Sequence, residues 1–569
     1  MGDAFPDFEK GGVLATRWNR DFEKKSEELK PTLHRWSRRP QHVIRFEKDE
    51  AQYWGVRPVQ AIKSVQEFES QSWGKGSDFI LDFGIHMVGY LSMTLKAHGA
   101  HMDAPCRLRL TFGESPLDVT LGMENVETWI STAWLPDEVI NVDMCPETLR
   151  LPRRYSFRFL RIEVIDTSVK YKVSFSGVTC ECVSAIGPDC LVERPSFKTD
   201  LLNCIDHVCL MTLRDCMQTV FEDGPRRDKR LWLGDLRLQA LANYKTFKDF
   251  GLVKRCIYQF ASVVREDDSV PACVFEFPQF TPSTDYIVDY DALFATVVHD
   301  YVEASGDVAA GKELWPTVLG CLKKCLSHLD PETSVFDGTR NEGASWKFLD
   351  WQPELHRDAG LHGVLLYCLK ATNSLAVLLG EVPPHEAEVT KMTRAAHHFL
   401  SKDDVFISGP KQQVSYASAA WLALSGAFPE ATTQRALLNT LRDPEAVRPM
   451  TPYLWHYVCD ALATVGCVDE CLATMAAHWG GMVEAGADTF WEYFNPDDRT
   501  GSPYGDVRNN SFCHAWSCTP TYLLRGKLWE HARKQQQQGS GAAGRSSVTM
   551  GSLDEEWIER VTRQYCVEK

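Results

Sequence analysis

At Pro195 the spacing of apolar residues changes from every second position to every third or fourth, and it does not change back. Period two belongs to strands and period 3.6 to helices, so the switch divides the chain into two structural regimes. Before it, Phe79–Gly84, Val88–Leu95, Arg107–Gly113, Phe157–Val164 and Lys172–Phe175 alternate between turn residues and are expected to be strands. Short strands separated by turns imply an antiparallel β-sandwich over residues 50–192. After the switch, helical stripes cover about 196–221, 231–248, 250–266, 286–304, 308–328, 358–380, 386–401, 414–426, 431–441, 451–464, 467–483 and 511–533. Twelve helices with no strand-rich interlude fit a closed ring of helical hairpins, an (α/α)6 toroid, over 193–533. The absence of a fixed-period repeat disfavours an α-solenoid. Residues 1–49 are expected to form an N-terminal arm packed on the body. Residues 534–569 read as a low-complexity linker, from Lys534-Gln535-Gln536-Gln537-Gln538, followed by an amphipathic helix over 553–567.

A formal net charge of -16 argues against nucleic acid or an anionic membrane as partner. No continuous apolar run reaches membrane-spanning length. The start, Met1-Gly2-Asp3-Ala4-Phe5-Pro6-Asp7, lacks the basic and apolar regions of a secretory signal, so a cytoplasmic location is expected. The 19 cysteines are scattered without zinc-ligand spacing. That pattern suits reduced, mostly buried thiols, and neither a metal nor a cofactor is expected.

Four stretches carry chemistry. The densest is Glu222-Asp223-Gly224-Pro225-Arg226-Arg227-Asp228-Lys229-Arg230-Leu231-Trp232-Leu233-Gly234-Asp235, a Gly-Pro-broken loop between helical patterns. It crowds acids, arginines and an indole together, as polyol and sugar recognition requires. One of Asp223, Asp228 and Asp235 could donate a proton while the others bind hydroxyls; Arg227 and Lys229 would lower the pKa of Asp228 by contact, while the neighbouring acids and Trp232 would raise it. The second, Gly486-Ala487-Asp488-Thr489-Phe490-Trp491-Glu492, sets a lone acid among aromatics, either a cap or salt-bridge partner or a catalytic base. The third, Ser511-Phe512-Cys513-His514-Ala515-Trp516, offers His514 to a ligand hydroxyl; Cys513 and His514 are too close in sequence to form a helical dyad. The fourth, Asn341 to Gln352, offers Trp346, Asp350 and Trp351 as a sugar subsite.

In that order, Asp223-Gly-Pro-x-Arg-Asp228 through Trp232-x-Gly-Asp235, Trp491-Glu492 and Ser511-x-Cys-His514-x-Trp-Ser resemble the motifs of bacterial and fungal α-L-rhamnosidases of glycoside hydrolase family 78. Asp82-Phe-Gly84, Gly89-Tyr90, Phe112-Gly-Glu114 and Arg158-Phe-Leu-Arg161 resemble its preceding β-domain, so the likeness spans about 50–530. The resemblance implies an inverting hydrolase of terminal α-L-rhamnose, with Asp228 as general acid and Glu492 as general base. It also implies a pocket lined by Asp223, Arg227, Trp232, Asp235, Asp350, Trp351 and His514, with Trp346 and Trp491 as further aromatic candidates. This chain has Gly224 where many members have Cys, and Asp228 where many have Glu. The expected partner is a small rhamnoside or related glycoside, with a homodimer left open as the assembly. The rival expectations are a hydrolase or lyase of acidic sugars using Arg226, Arg227, Lys229 and Arg230, an inactive sugar-binding relative, and a helical protein-binding scaffold.

Overall fold

The computed structural model describes residues 15–197, 199–340, 346–530 and, by backbone alone, 548–552. The C-terminal helix expected over 553–567, most of the linker, residues 1–14 of the arm and 341–345 of the fourth stretch lie outside the described residues.

The β-domain is a nine-stranded antiparallel sheet organised around one strand, Asp78–Gly99. Two strands expected from the alternation are this single element, 22 residues long. It bends because Gly84 takes φ +81°, where its amide donates to the Asp82 carboxylate at 2.8 Å, and its register against Tyr155–Asp166 slips between Asp82 and Met87. Its first part pairs with His42–Lys48 and Tyr155–Asp166, and its second with Tyr171–Ser184 and Glu147–Arg150. The inward positions, among them Leu81, Leu108, Leu160 and Phe175, are fully buried in a shared core. The boundary expected at residue 49 falls inside this sheet, since His34–Arg38 and His42–Lys48 are strands of it. Val548–Ser552, assigned to the low-complexity tail by composition, pairs with Leu191–Pro195.

All twelve expected helices form, most with shorter boundaries and Glu430–Arg442 with longer ones. Leu233–Lys245, Val288–Ser305, Asp358–Leu379, Tyr416–Leu424, Pro452–Thr464 and Pro520–Arg525 are packed each against the next, and the last returns to the first. Asp200–Cys216 and five further helices lie outside this ring, giving the (α/α)6 toroid. Local signals set the ends: Asp249, Asp307 and Thr451 cap helix starts, and Gly306 and Gly380 end helices at φ near +75°. By length and composition Asp358–Leu379 could cross a bilayer. In this fold its apolar surface packs between two neighbours in the ring.

Buried charge joins the halves. His86 of the long strand pairs through Nδ1 with Asp215 at 2.7 Å and through Nε2 with the Ser156 hydroxyl at 2.9 Å. Arg226 forms a two-bond pair with Asp118 of the β-domain at 2.7 and 2.8 Å, and its other near acid is Glu114 at 3.7 Å. Breaking a buried pair from one side costs more than the pair contributes, because a desolvated charge remains. Arg226→Met is expected to lower unfolding free energy by about 3–5 kcal/mol. Asp118→Leu added to it should recover part of the loss. Denaturant midpoints with an unchanged slope check both, and a double variant no better than the single one would contradict the pairing.

Candidate active site

A cavity opens where inner helices of the ring begin. Asp235 and Tyr290 reach it from the first turns of Leu233–Lys245 and Val288–Ser305. Phe348 and Trp351 reach it from the loop before Asp358–Leu379, and His514 and Trp516 from the loop before Pro520–Arg525. The helix expected from 511 therefore starts late. Residues 511–519 form no α-helix, only a 3-10 turn at Ala515–Ser517, because several of their amides serve other groups: Ser511 donates to Glu492, Phe512 to Glu114, and Ala515 to the Asp223 carbonyl. Close approach explains two glycines. A Cβ on Gly234 would lie 2.3 Å from the Tyr290 ring, and one on Gly224 would lie 2.7 Å from the Ser511 hydroxyl. The first motif is thus seated against the third through Gly224.

Glu492, 2% exposed, sits at the centre. One Arg227 amino group donates to both its oxygens at 2.7 and 2.8 Å, the Ser511 amide donates to Oε2 at 3.1 Å, and the Tyr504 hydroxyl donates to Oε1. These four bonds occupy the acceptor sites of a carboxylate. Burial alone would raise the Glu492 pKa. The Arg227 charge, His514 and the Tyr504 hydroxyl outweigh it and leave the group below the ordinary glutamate value. Arg227 also stacks over the Tyr504 ring at 4.0 Å, and its Nη1 lies 3.7 Å from Asp228. Asp228 and Glu492 therefore flank one planar guanidinium, which limits their separation to about 9 Å.

The other acids behave differently. Burial, then Asp228 and Asp235, pushes the Asp223 carboxyl well up. Burial, then Glu492, does the same to Asp235. Both carboxyls are thus biased toward the protonated form. Trp232 donates its indole N–H to Asp228 at 3.2 Å. Lys229 turns away to the Arg154 carbonyl at 2.7 Å, so of the two flanking cations only Arg227 approaches Asp228. His514 is held neutral, its pKa lowered to about 4 mainly by burial. Its Nδ1 and Asp235 Oδ1, 3.7 Å apart, are buried without hydrogen-bond partners and face the same cavity. Such unpaired groups suit a ligand hydroxyl.

Asp223, Asp228, Trp232, Asp235, Trp346, Trp351, Glu492 and His514 all line the cavity, and Arg227 stands behind Glu492. Besides Arg227, two expected lining residues do not reach it. Asp350 accepts from the Met450 and Thr451 amides and the Thr451 hydroxyl, fixing the start of Pro452–Thr464. Trp491 packs against Trp54, Tyr53, Phe494 and Phe512, where the β-domain meets the ring. Aromatic and acidic composition gives no facing direction, and both side chains turn to structural work. Tyr504, Tyr290 and Ile287 were not anticipated; the Ser502-Pro503-Tyr504-Gly505 turn was the available cue for the first. Among the described residues, His86, Asp215 and Cys513 bring metal-type ligand atoms within 4.8 Å. Both His86 nitrogens are already engaged by Asp215 and Ser156, and Cys513 lies against Cys216 with its thiol pKa raised by burial.

Residues 40–182 match the N-terminal domain of glycosyl hydrolase family 78 α-rhamnosidases, and residues 195–527 match the bacterial α-L-rhamnosidase six-hairpin glycosidase domain. Among solved structures, a rhamnosidase from Klebsiella oxytoca with rhamnose bound is 36% identical, with TM-score 0.85, covering 90% of this chain and 99% of its own. A family 78 rhamnosidase from Bacillus sp. GL1 shares the fold at 20% identity and TM-score 0.64, over 79% of this chain and 46% of its own. An α-L-rhamnosidase from Streptomyces avermitilis complexed with L-rhamnose does so at 17% and 0.58, over 82% and 44%. No curated protein sequence matches the chain.

The charge balance around Glu492 fixes a sign. Its lowered folded pKa makes the ionised form stabilising above the unfolded pKa, and that stability is lost as pH falls through the folded value. Removing the cation reverses the direction, because burial then dominates and the folded pKa rises. Arg227→Met is thus expected to lose more stability at pH 8 than at pH 5, by about 3–5 kcal/mol at the higher pH. Denaturant unfolding at the two pH values checks it, and a pH-independent deficit would contradict it.

Proposed function

The chain belongs to glycoside hydrolase family 78, and from that membership we propose that it is an inverting α-L-rhamnosidase acting on small glycosides, with Asp228 as general acid and Glu492 as general base. The observation that carries the reading is the pair of acids flanking one guanidinium at a cavity walled by aromatic side chains. Their limiting separation of about 9 Å is compatible with the roughly 6.5–9.5 Å that lets a water stand opposite the leaving group.

Protonated Asp228 donates to the glycosidic oxygen, with its carboxyl oriented by the Trp232 N–H. Ionised Glu492 takes a proton from the attacking water on the opposite face. The positive charge developing at the sugar ring is stabilised by the nearby carboxylates. Aromatic walls from Trp346, Phe348, Trp351 and Trp516 cover apolar sugar faces, and Asp235 and neutral His514 serve hydroxyls. Because three donor groups making four bonds fill Glu492, one withdraws before the water binds. Tyr504 is the uncharged side-chain donor and the one able to do so.

An acidic sugar in this cavity is disfavoured by its lining, which among the described residues holds the acids Asp223, Asp228, Asp235 and Glu492 and neither Arg nor Lys. The basic residues offered for that role are otherwise engaged: Arg226 with Asp118, Arg227 with Glu492, Lys229 with a carbonyl and Arg230 against Trp134 and Phe275. The eighteen cysteines among the described residues are all free, which supports a reducing, cytoplasmic location.

Asp228→Asn and Glu492→Gln are each expected to cut release of nitrophenol from an aryl α-L-rhamnoside at least about a hundredfold with folding retained. NMR of the first-formed rhamnose should show the β-anomer; an α-anomer product would exclude inversion. Tyr504→Phe should move the acid limb of the kcat/KM profile to higher pH, since one stabiliser of ionised Glu492 is gone. An unmoved limb would remove Tyr504 from the scheme.

A further inference from the structure

Asp228 is followed by a residue with an unusual backbone. Lys229 has φ +55°, in the left-handed region that a long side chain seldom enters. The reversal there sends neighbouring side chains to opposite sides. Asp228 lines the cavity, whereas Lys229 reaches the β-domain and donates from its ammonium to the Arg154 carbonyl at 2.7 Å. Burial, then the Arg154 charge, lowers the Lys229 pKa to about 8. Desolvation of this cation is unfavourable, and the bond to Arg154 offsets it. Such an arrangement costs both backbone strain and lost hydration, and it stands directly beside the proposed proton donor.

The same β-domain residue holds the other end of the loop. The Arg154 guanidinium donates to both Glu222 oxygens at 2.6 Å and to the Gln218 side-chain oxygen at 3.0 Å. Arg154 immediately precedes the strand Tyr155–Asp166, so both contacts start from the sheet. Between them the loop closes on itself. The Lys229 amide donates to the Gly224 carbonyl at 3.1 Å, the Asp223 amide to the Arg230 carbonyl at 3.0 Å, and the Arg230 amide to the Asp223 carboxylate at 3.0 Å. The Asp228 carboxyl is held less firmly, by the Trp232 N–H at 3.2 Å and by Arg227 at 3.7 Å, beyond hydrogen-bond length. An aspartate has a single methylene, so the direction of its carboxyl follows the backbone. On its C-terminal side that backbone is the left-handed turn at Lys229.

We infer that Lys229 is a positioning residue: anchored to the Arg154 carbonyl, it holds the left-handed turn that aims the Asp228 carboxyl at the leaving oxygen. The inference rests on the hydrolase reading above and deepens it, because it gives the β-domain a part in proton donation.

The test compares the unmodified chain with Lys229→Met, which keeps the side-chain length and loses the donor. Two substrates of similar size differ in their need for a proton: a dinitrophenyl α-L-rhamnoside, whose phenolate departs unprotonated, and a methoxyphenyl α-L-rhamnoside, whose phenolate is a much poorer leaving group. Lys229→Met is expected to lower kcat/KM about tenfold to thirtyfold on the methoxyphenyl substrate, mainly through kcat, and to stay within about threefold on the dinitrophenyl one. Lys229→Arg keeps a charged donor and should lose less than Lys229→Met on the methoxyphenyl substrate. A loss equal on both substrates marks a merely structural role and overturns the inference. No loss on either, or a Lys229→Arg loss as large as that of Lys229→Met, overturns it too. Should circular dichroism show Lys229→Met unfolded, Lys229→Asn takes its place with the same expectations, since asparagine accepts the left-handed backbone. If the unmodified chain hydrolyses neither substrate, the hydrolase reading fails and the positioning role falls with it; uniform loss in an otherwise active chain overturns the positioning role alone.

Discussion

The bond between Arg227 and Glu492 joins two segments 265 residues apart, and the geometry of the cavity depends on it. A carboxylate at this depth would ordinarily take up a proton and lose the ability to accept one from water. The guanidinium prevents this, and because it also approaches Asp228 it spaces the two acids. The same pair limits what Glu492 can do at rest. With Arg227, Tyr504 and the Ser511 amide all donating to it, the carboxylate is ionised yet has no free acceptor site. A charged base and an available base are separate conditions, and Tyr504 stands between them.

The surrounding acids complete an electrostatic division. Asp223 and Asp235 are pushed toward the protonated form by burial and by each other's neighbours, whereas Glu492 is pulled the other way by a cation. Environments that separate the titration of adjacent carboxyls are what acid–base chemistry near neutrality requires. The separation arises from position: the Arg227 guanidinium donates to Glu492, while Asp223 and Asp235 are buried with no cation among the main causes of their shifts.

Much of this was legible in the amino-acid order. The change in periodicity at Pro195 coincides with the end of the strand Leu191–Pro195, and Asp223, Asp228, Asp235, Glu492 and His514 line one cavity. Their residue types are scarce in such combinations, so local composition carried the signal. Facing direction was not legible. Asp350 and Trp491 sit in stretches as sugar-like as the others, but one caps a helix and the other fills a junction between domains. Tyr290 and Tyr504 were missed for the converse reason: each is a single aromatic in unremarkable surroundings, and its role is set by a partner far away in sequence. The Asp78–Gly99 strand was read as two because Gly84 looks like a break, whereas its left-handed backbone bends the strand without ending it.

The three motif segments have one more property in common. Arg226 of the first is held by Asp118, Asp488 of the second accepts from the His86 amide, and the Phe512 amide of the third donates to Glu114. Every one of these partners belongs to the β-domain. The two halves are therefore poor candidates for independent shuffling. A helical ring transplanted onto a different sheet would inherit buried ions without their counter-charges, so gene fusions that keep catalysis are constrained to carry both halves together and to add new modules only outside this junction.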